Sequence, residues 1–78
     1  MRKRERKAVI TFSTTTAAIH METCCKKEGL PGRLIPVPTA ITAGCGLAWA
    51  LYPEEKEMVL AMMEREGLVP EGVYELEI

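Results

Sequence analysis

The apolar positions of this 78-residue chain follow two spacings, one typical of strands and one typical of helices. Runs of β-branched, aromatic or alternating apolar residues predict four strands, at residues 7–12, 33–37, 46–51 and 73–78. The first run is rich in β-branched residues and the third is continuously apolar, so both are predicted to be buried in a sheet, whereas the last alternates and is predicted to be half-exposed. Pro36 and Pro38 lack N–H donors, so the second strand is expected at a sheet edge.

A segment with helical spacing follows the first strand. It covers residues 17–28, and one face carries Ala17, Met21, Cys24 and Cys25. The hydroxyl groups of residues 13–16 are suited to capping its N-terminus. Gly29, with a proline two residues later, is a typical end of a helix.

A second helix is predicted to begin at Pro53 and to end at Gly67. Proline is favoured in the first turn of a helix, and the carboxylates of Glu54 and Glu55 match the positive end of the helix dipole. Its apolar side is expected to consist of Met58, Leu60, Ala61, Met62 and Met63.

The predicted order is therefore strand, helix, strand, strand, helix, strand. This is the ferredoxin-like βαββαβ arrangement, an α+β fold. It implies an antiparallel sheet of strand order 4-1-3-2 with both helices on one face. Residues 7–78 are expected to form this single domain, and residues 1–6 a basic, flexible lead-in.

Composition and charge narrow the class of protein. The net charge is −1, and the basic run at residues 2–7 is not followed by the apolar stretch of a secretory signal. RNA-binding proteins of this fold use exposed aromatic residues on the central strands, and Phe12 and Trp49 alone do not supply them, so nucleic acid is not an expected partner. No segment approaches the length of a membrane-spanning helix, so no membrane is expected either. Three cysteines, an odd number without a secretory context, favour a reducing cytoplasm.

The residue best suited to a chemical role is Cys45, which lies between Gly44 and Gly46 in a short loop. The two glycines are expected to leave its thiol uncovered and to let a partner's backbone come close. In the predicted topology the loop meets the turn after the first strand, where the first helix begins. Unpaired N–H groups and the helix dipole stabilise anions at such a position. Ser13, Thr14 and Thr15 would add hydroxyl donors, so Cys45 is interpreted as a reactive thiol whose thiolate these groups stabilise.

The other two cysteines and the histidine are better explained by packing than by a chemical role. Cys24 and Cys25 are adjacent on a helix, where one faces the core and the other lies at its border. His20 and Cys24 are four residues apart and share a helix face, so a metal site that combined either of them with Cys45 remains an alternative. His20 and Cys24 supply only two ligands, and Cys45 is expected near the start of the helix, at a distance from both. We therefore expect no metal, no cofactor and no set of catalytic residues.

Several motifs resemble a small bacterial family of selenium/sulfur carrier-like proteins. The matching signals are Thr-Phe-Ser-Thr at 11–14, Gly-x-Pro-Gly-Arg-Leu-Ile-Pro-Val-Pro at 29–38, Ile41, and Cys-Gly-Leu-Ala at 45–48. The resemblance implies a compact α+β domain whose working residue is Cys45, and we expect a carrier that is not an enzyme. It also implies that Cys45 accepts sulfur or selenium as a persulfide or selenosulfide.

Two hypotheses of function follow. In the first, Cys45 takes the atom from a donor enzyme of the desulfurase type and passes it to an acceptor enzyme, and the loop at residues 36–44 docks these partners. In the second, the chain is an interaction or regulatory module of ferredoxin-like type that forms a homodimer through the edge strand at residues 33–37, and the cysteine is incidental.

Overall fold

In residues 4–78, the computed structural model contains a four-stranded antiparallel sheet and two α-helices. Residues 1–3 of the predicted lead-in lie outside this described part. The elements in chain order are β1 (Arg6–Thr11), α1 (Thr15–Glu28), β2 (Arg33–Pro36), β3 (Leu47–Leu51), a 3-10 turn (Pro53–Glu55), α2 (Lys56–Arg65) and β4 (Gly72–Glu77). β1 begins one residue before its predicted start, and Glu5 exchanges two backbone hydrogen bonds with Ile78.

The strand order is β2-β3-β1-β4, which is the predicted order read from the other edge of the sheet. The predicted α+β fold is therefore confirmed. β1 is central, because it pairs antiparallel with both β3 and β4 along its length. β2 pairs only with β3 and lies at an edge, as its prolines predicted. At one end of the sheet, Thr11 is opposite both Ala48 and Gly72.

Both helices pack on one face of the sheet, as predicted. Because side chains alternate along a strand, Ala8, Ile10 and Phe12 point to this face. The helices bury Met21, Cys25 and Val59 against it, and each of these side chains is at most 1% exposed. The main core therefore lies between the two helices and the sheet.

The opposite face of the sheet is partly covered by the connection between β2 and β3. We call this connection, residues 37–46, the strap. Ile41 of the strap is buried against Val9 and Ala48, and apolar side chains from both edges of the sheet pack around them. This small second cluster fixes the middle of the strap to the sheet.

The helix boundaries follow from local chemistry. The hydroxyl oxygen of Thr14 accepts the N–H of Ala17 at 3.1 Å and caps α1, which confirms that residues 13–16 contain its cap. At the other end, Gly29 has a φ of +68°, a left-handed conformation that favours glycine.

The apolar side of α2 differs from the prediction. Residues 53–55 form a 3-10 turn, and the α-helix begins only at Lys56. Met58 was expected on the apolar side but is 53% exposed. The buried positions are Val59, Met62 and Met63, whose spacing of three and four residues places them on one stripe of the helix. The sequence pattern is ambiguous here because six consecutive apolar residues, 58–63, surround the helix on all sides.

Candidate functional site

Cys45 lies at the end of the strap, two residues before β3. The antiparallel pairing of β1 with β3 brings the last residue of β1 beside the start of β3. α1 begins four residues after β1 ends, so its first turn lies at the same end of the sheet. The topology thus places Cys45 beside the first turn of α1, as the predicted strand order required.

Two donors face the sulfur of Cys45. The N–H of Leu47 donates to Sγ at 3.2 Å, and the hydroxyl of Thr15 donates to it at 3.9 Å. In its thiol form, Sγ is also 3.6 Å from the carbonyl oxygen of Leu47, which can accept the S–H. Donors directed at sulfur stabilise negative charge on it. The arrangement therefore serves both the thiol and the thiolate.

The expectation that Cys45 is uncovered is wrong. Its side chain is buried, with only 7% of the residue exposed, and it belongs to the main core between the helices and the sheet. The strap turns the side chain inward, and hydrogen bonds from Leu47 and Thr15 hold it there. Flanking glycines limit crowding from neighbouring side chains, but the direction of the backbone decides whether the thiol faces solvent.

The two flanking glycines have different surroundings. Gly44 is exposed, but an added Cβ there would lie 3.0 Å from the carbonyl oxygen of Ser13 and 3.1 Å from a carboxylate oxygen of Glu71, so a side chain would be crowded. A Cβ at Gly46 would meet no atom within 4 Å, and the residue is exposed. Nothing inside the described chain therefore requires glycine at position 46.

The three hydroxyl residues predicted around the thiol have different places. Thr15 contacts Sγ, whereas the hydroxyl of Thr14 is used in the cap of α1. Ser13 is exposed, and within residues 4–78 no hydrogen bond joins its side chain to Cys45. One of the three predicted groups, Thr15, is thus in contact with the sulfur.

Cys24 and Cys25 are both buried and both free. Burial raises the pKa of the Cys24 thiol, and the carboxylates of Glu66 and Glu28 raise it further. Burial raises the pKa of the Cys25 thiol to about 11, with smaller contributions from Cys24 and Glu28. Both therefore remain thiols at neutral pH, and they are weak nucleophiles because the thiolate is the reactive form.

The alternative metal site is not assembled. Cys24 lies nine residues beyond Thr15, the residue that contacts Cys45, and this spacing corresponds to about 13 Å along a helix. His20 lies on the exposed side of α1. Across the described residues, no group of three or more histidine, cysteine or acidic side chains is arranged to hold a metal ion.

Sequence reasoning missed two contacts of this site, Leu47 and Glu71. The Leu47 group is a backbone N–H, which side-chain identity cannot signal. The carboxylate of Glu71 accepts the N–H of Gly44 at 2.9 Å, across a separation of 27 residues. Only the position of Glu71 just before β4, and hence near the end of β1, could have indicated this contact.

The fold and the site define a small α+β domain with one enclosed cysteine beside a helix start. A family model described as "Putative Se/S carrier protein-like" matches residues 7–75. The chain belongs to this family, which confirms the resemblance seen in its motifs. Searches of curated proteins and of solved structures gave no match. Within residues 4–78, none of the helices combines the length and the apolar character needed to cross a bilayer.

Proposed function

We propose that the protein is a non-enzymatic carrier that takes up one sulfur or selenium atom on Cys45 and passes it to another protein. The observation that carries this proposal is the pair of donors on Sγ, the N–H of Leu47 and the hydroxyl of Thr15, at the first turn of α1. Both donors are placed to hydrogen-bond a sulfur that attacks as a thiolate. A thiolate is the attacking form in sulfur exchange. Membership of the carrier-like family supports sulfur or selenium as the atom that is carried.

The transfer is a thiol exchange without net oxidation. The Cys45 thiolate attacks the outer sulfur of a donor persulfide, R–S–SH. A bond forms between Sγ and that sulfur, the S–S bond of the donor breaks, and the donor leaves as the thiolate R–S⁻. The proton stays with the transferred sulfur, so Cys45 becomes a persulfide. Selenium transfer has the same balance, with selenium in place of the outer sulfur.

The exposed side of the site is the side of Gly46. Within residues 4–78, no atom lies within 4 Å of the position of a Cβ at Gly46, whereas a Cβ at Gly44 would crowd Ser13 and Glu71. We propose that the donor and the acceptor enzyme dock at Gly46, because a small residue lets a partner's backbone approach closely.

The three free cysteines suit a reducing cytoplasm, where we propose that the protein works.

The experiment that tests this proposal is sulfur loading of the purified chain. The protein is incubated with glutathione persulfide at pH 8, and in a parallel reaction with a persulfide-loaded desulfurase. We expect a mass gain of one sulfur, located on Cys45 by peptide mapping of the alkylated product. An absence of any adduct, or an adduct found on Cys24 or Cys25 instead, would contradict the proposal.

A Gly46→Ala variant is expected to fold normally and to lose transfer from a protein donor. Because an added Cβ meets no atom of residues 4–78, the free energy of unfolding should change by less than about 1 kcal/mol. The methyl group would nevertheless stand where a partner approaches. We expect loading from the desulfurase to slow by at least about tenfold, equivalent to ~1.4 kcal/mol, while loading from the small glutathione persulfide changes little. Equal rates from the desulfurase for the variant and the parent would place the docking surface elsewhere.

A second candidate function is an interaction module that dimerises through β2. It is favoured by the position of β2, which pairs with β3 on one side and has an unpaired edge on the other. The candidates differ in what they require of Cys45. A Cys45→Ser variant that retains every partner and biological effect supports the interaction module.

A further inference from the structure

A carboxylate outside the sequence motifs holds the strap that contains Cys45. The N–H of Gly44 donates to both carboxylate oxygens of Glu71, at 2.9 and 3.3 Å. Glu71 is itself fixed to the sheet, because its N–H donates to the carbonyl oxygen of Thr11 at 2.8 Å. One residue thus joins the end of the strap to the end of the central strand.

Few other polar contacts hold the strap. At its ends, the N–H of Val37 donates to the carbonyl oxygen of Gly46 at 3.0 Å, and within it the N–H of Ile41 donates to that of Pro38 at 2.9 Å. The buried side chain of Ile41 anchors the middle. In the described part of the chain, Glu71 supplies the only side-chain hydrogen bond to residues 37–44. The segment just before Cys45 therefore depends on this one residue.

The hydrogen bond between Gly44 and Glu71 must hold Cys45 in place, and it must also break when a partner is to reach the sulfur. Cys45 is 7% exposed, and its sulfur cannot meet the sulfur of another protein while its side chain is turned into the core between the helices and the sheet. The bond between Gly44 and Glu71 is at the surface, where water can replace either partner. Segments with few buried contacts and exposed hydrogen bonds open locally at low cost in free energy.

We propose that Glu71 is a positioning residue: by holding Gly44 it keeps Cys45 turned into the core, and it sets how often the thiol becomes accessible. This inference rests on the proposed function only in its purpose, which is to let a partner reach the sulfur when Gly44 is released from Glu71. The fixed position of the residue before Cys45 itself follows from the contacts of Gly44, Glu71 and Thr11.

The experiment compares Glu71→Ala and Glu71→Gln with the parent chain. Two rates are measured under native conditions, hydrogen exchange of the Gly44 amide by NMR and alkylation of each cysteine by iodoacetamide. In Glu71→Ala we expect both the Gly44 exchange rate and the Cys45 alkylation rate to rise about fivefold to tenfold, because a charge-assisted hydrogen bond is lost at an exposed site. Glu71→Gln keeps an acceptor oxygen and is expected to show a smaller increase.

The chain provides its own controls. Cys24 and Cys45 have the same exposed fraction, 7%. Cys24 lies on α1 and not in the strap, so its alkylation rate should not change. Glu77→Ala removes another exposed carboxylate and should leave both rates unchanged. If the alkylation of Cys24 rises in parallel with that of Cys45, the effect is global unfolding and the proposal is overturned. Unchanged Gly44 exchange in Glu71→Ala overturns it as well.

The outcome is independent of the carrier function. If the parent chain takes up no sulfur while Glu71→Ala still accelerates Gly44 exchange and Cys45 alkylation selectively, the positioning role stands and the carrier role falls. If the chain takes up sulfur on Cys45 and the Glu71 variants change neither rate, the carrier role stands and the positioning role falls.

Discussion

A Cys45→Ser variant is expected to take up no sulfur or selenium from any persulfide donor, a complete loss of the proposed function. Serine has nearly the same size as cysteine, and its oxygen can accept the N–H of Leu47 and the hydroxyl of Thr15 that now face Sγ. The fold should therefore be retained, with the free energy of unfolding reduced by no more than about 1–2 kcal/mol. A hydroxyl group is far less nucleophilic than a thiolate and forms no persulfide.

The matched control is the double variant Cys24→Ala, Cys25→Ala, which is expected to load one sulfur like the parent chain. Both thiols have raised pKa values, about 11 for Cys25, because burial disfavours their charged forms. Since the thiolate is the attacking form, buried thiols with raised pKa values are poor acceptors of sulfur. Intact-mass measurement after incubation with glutathione persulfide checks both variants. Sulfur uptake that persists in Cys45→Ser, or that disappears in the double variant, would contradict the assignment.

The topology could be predicted because it depends on local patterns. The runs of residues in β1 and β3 predict buried strands, and the prolines of β2 predict an edge. Together with the two helices, these elements allow few arrangements. The same reasoning predicted that Cys45 lies beside the start of α1, since antiparallel pairing fixes which ends of β1 and β3 meet. The contact of Thr15 with Sγ was predictable for this reason.

The strap is the part that the sequence did not reveal. It has no periodic pattern, and its path over the sheet depends on the apolar contacts of Ile41 and Val37 and on one distant carboxylate, Glu71. These contacts act across long separations along the chain, where residue type carries little signal. The burial of Cys45 follows from this path, which is why two flanking glycines predicted an exposed thiol and the structure has an enclosed one.

A Gly32→Ala variant is expected to lose about 2–5 kcal/mol of the free energy of unfolding, through backbone strain and overpacking together. Gly32 has a φ of +114°, a conformation that side chains rarely adopt. An added Cβ would lie 2.1 Å from Nε1 of Trp49 and 2.9 Å from the carbonyl oxygen of Ala50. Trp49 is 3% exposed and donates its indole N–H to the carbonyl oxygen of Pro31 at 3.1 Å, so it cannot move away without losing that bond and its packing.

Gly29→Ala is the control that separates strain from collision. Gly29 also has a positive φ, +68°, but a Cβ there would meet no atom within 4 Å, so only the left-handed conformation costs stability, about 1–2 kcal/mol. Urea unfolding followed by the fluorescence of Trp49, the single tryptophan of the chain, measures both variants. A loss in Gly32→Ala no larger than that in Gly29→Ala would mean that Trp49 can move aside at little cost. A larger loss would mean that the close approach of Gly32 to Trp49 fixes β2 against β3, the strand that carries the Leu47 donor to Cys45.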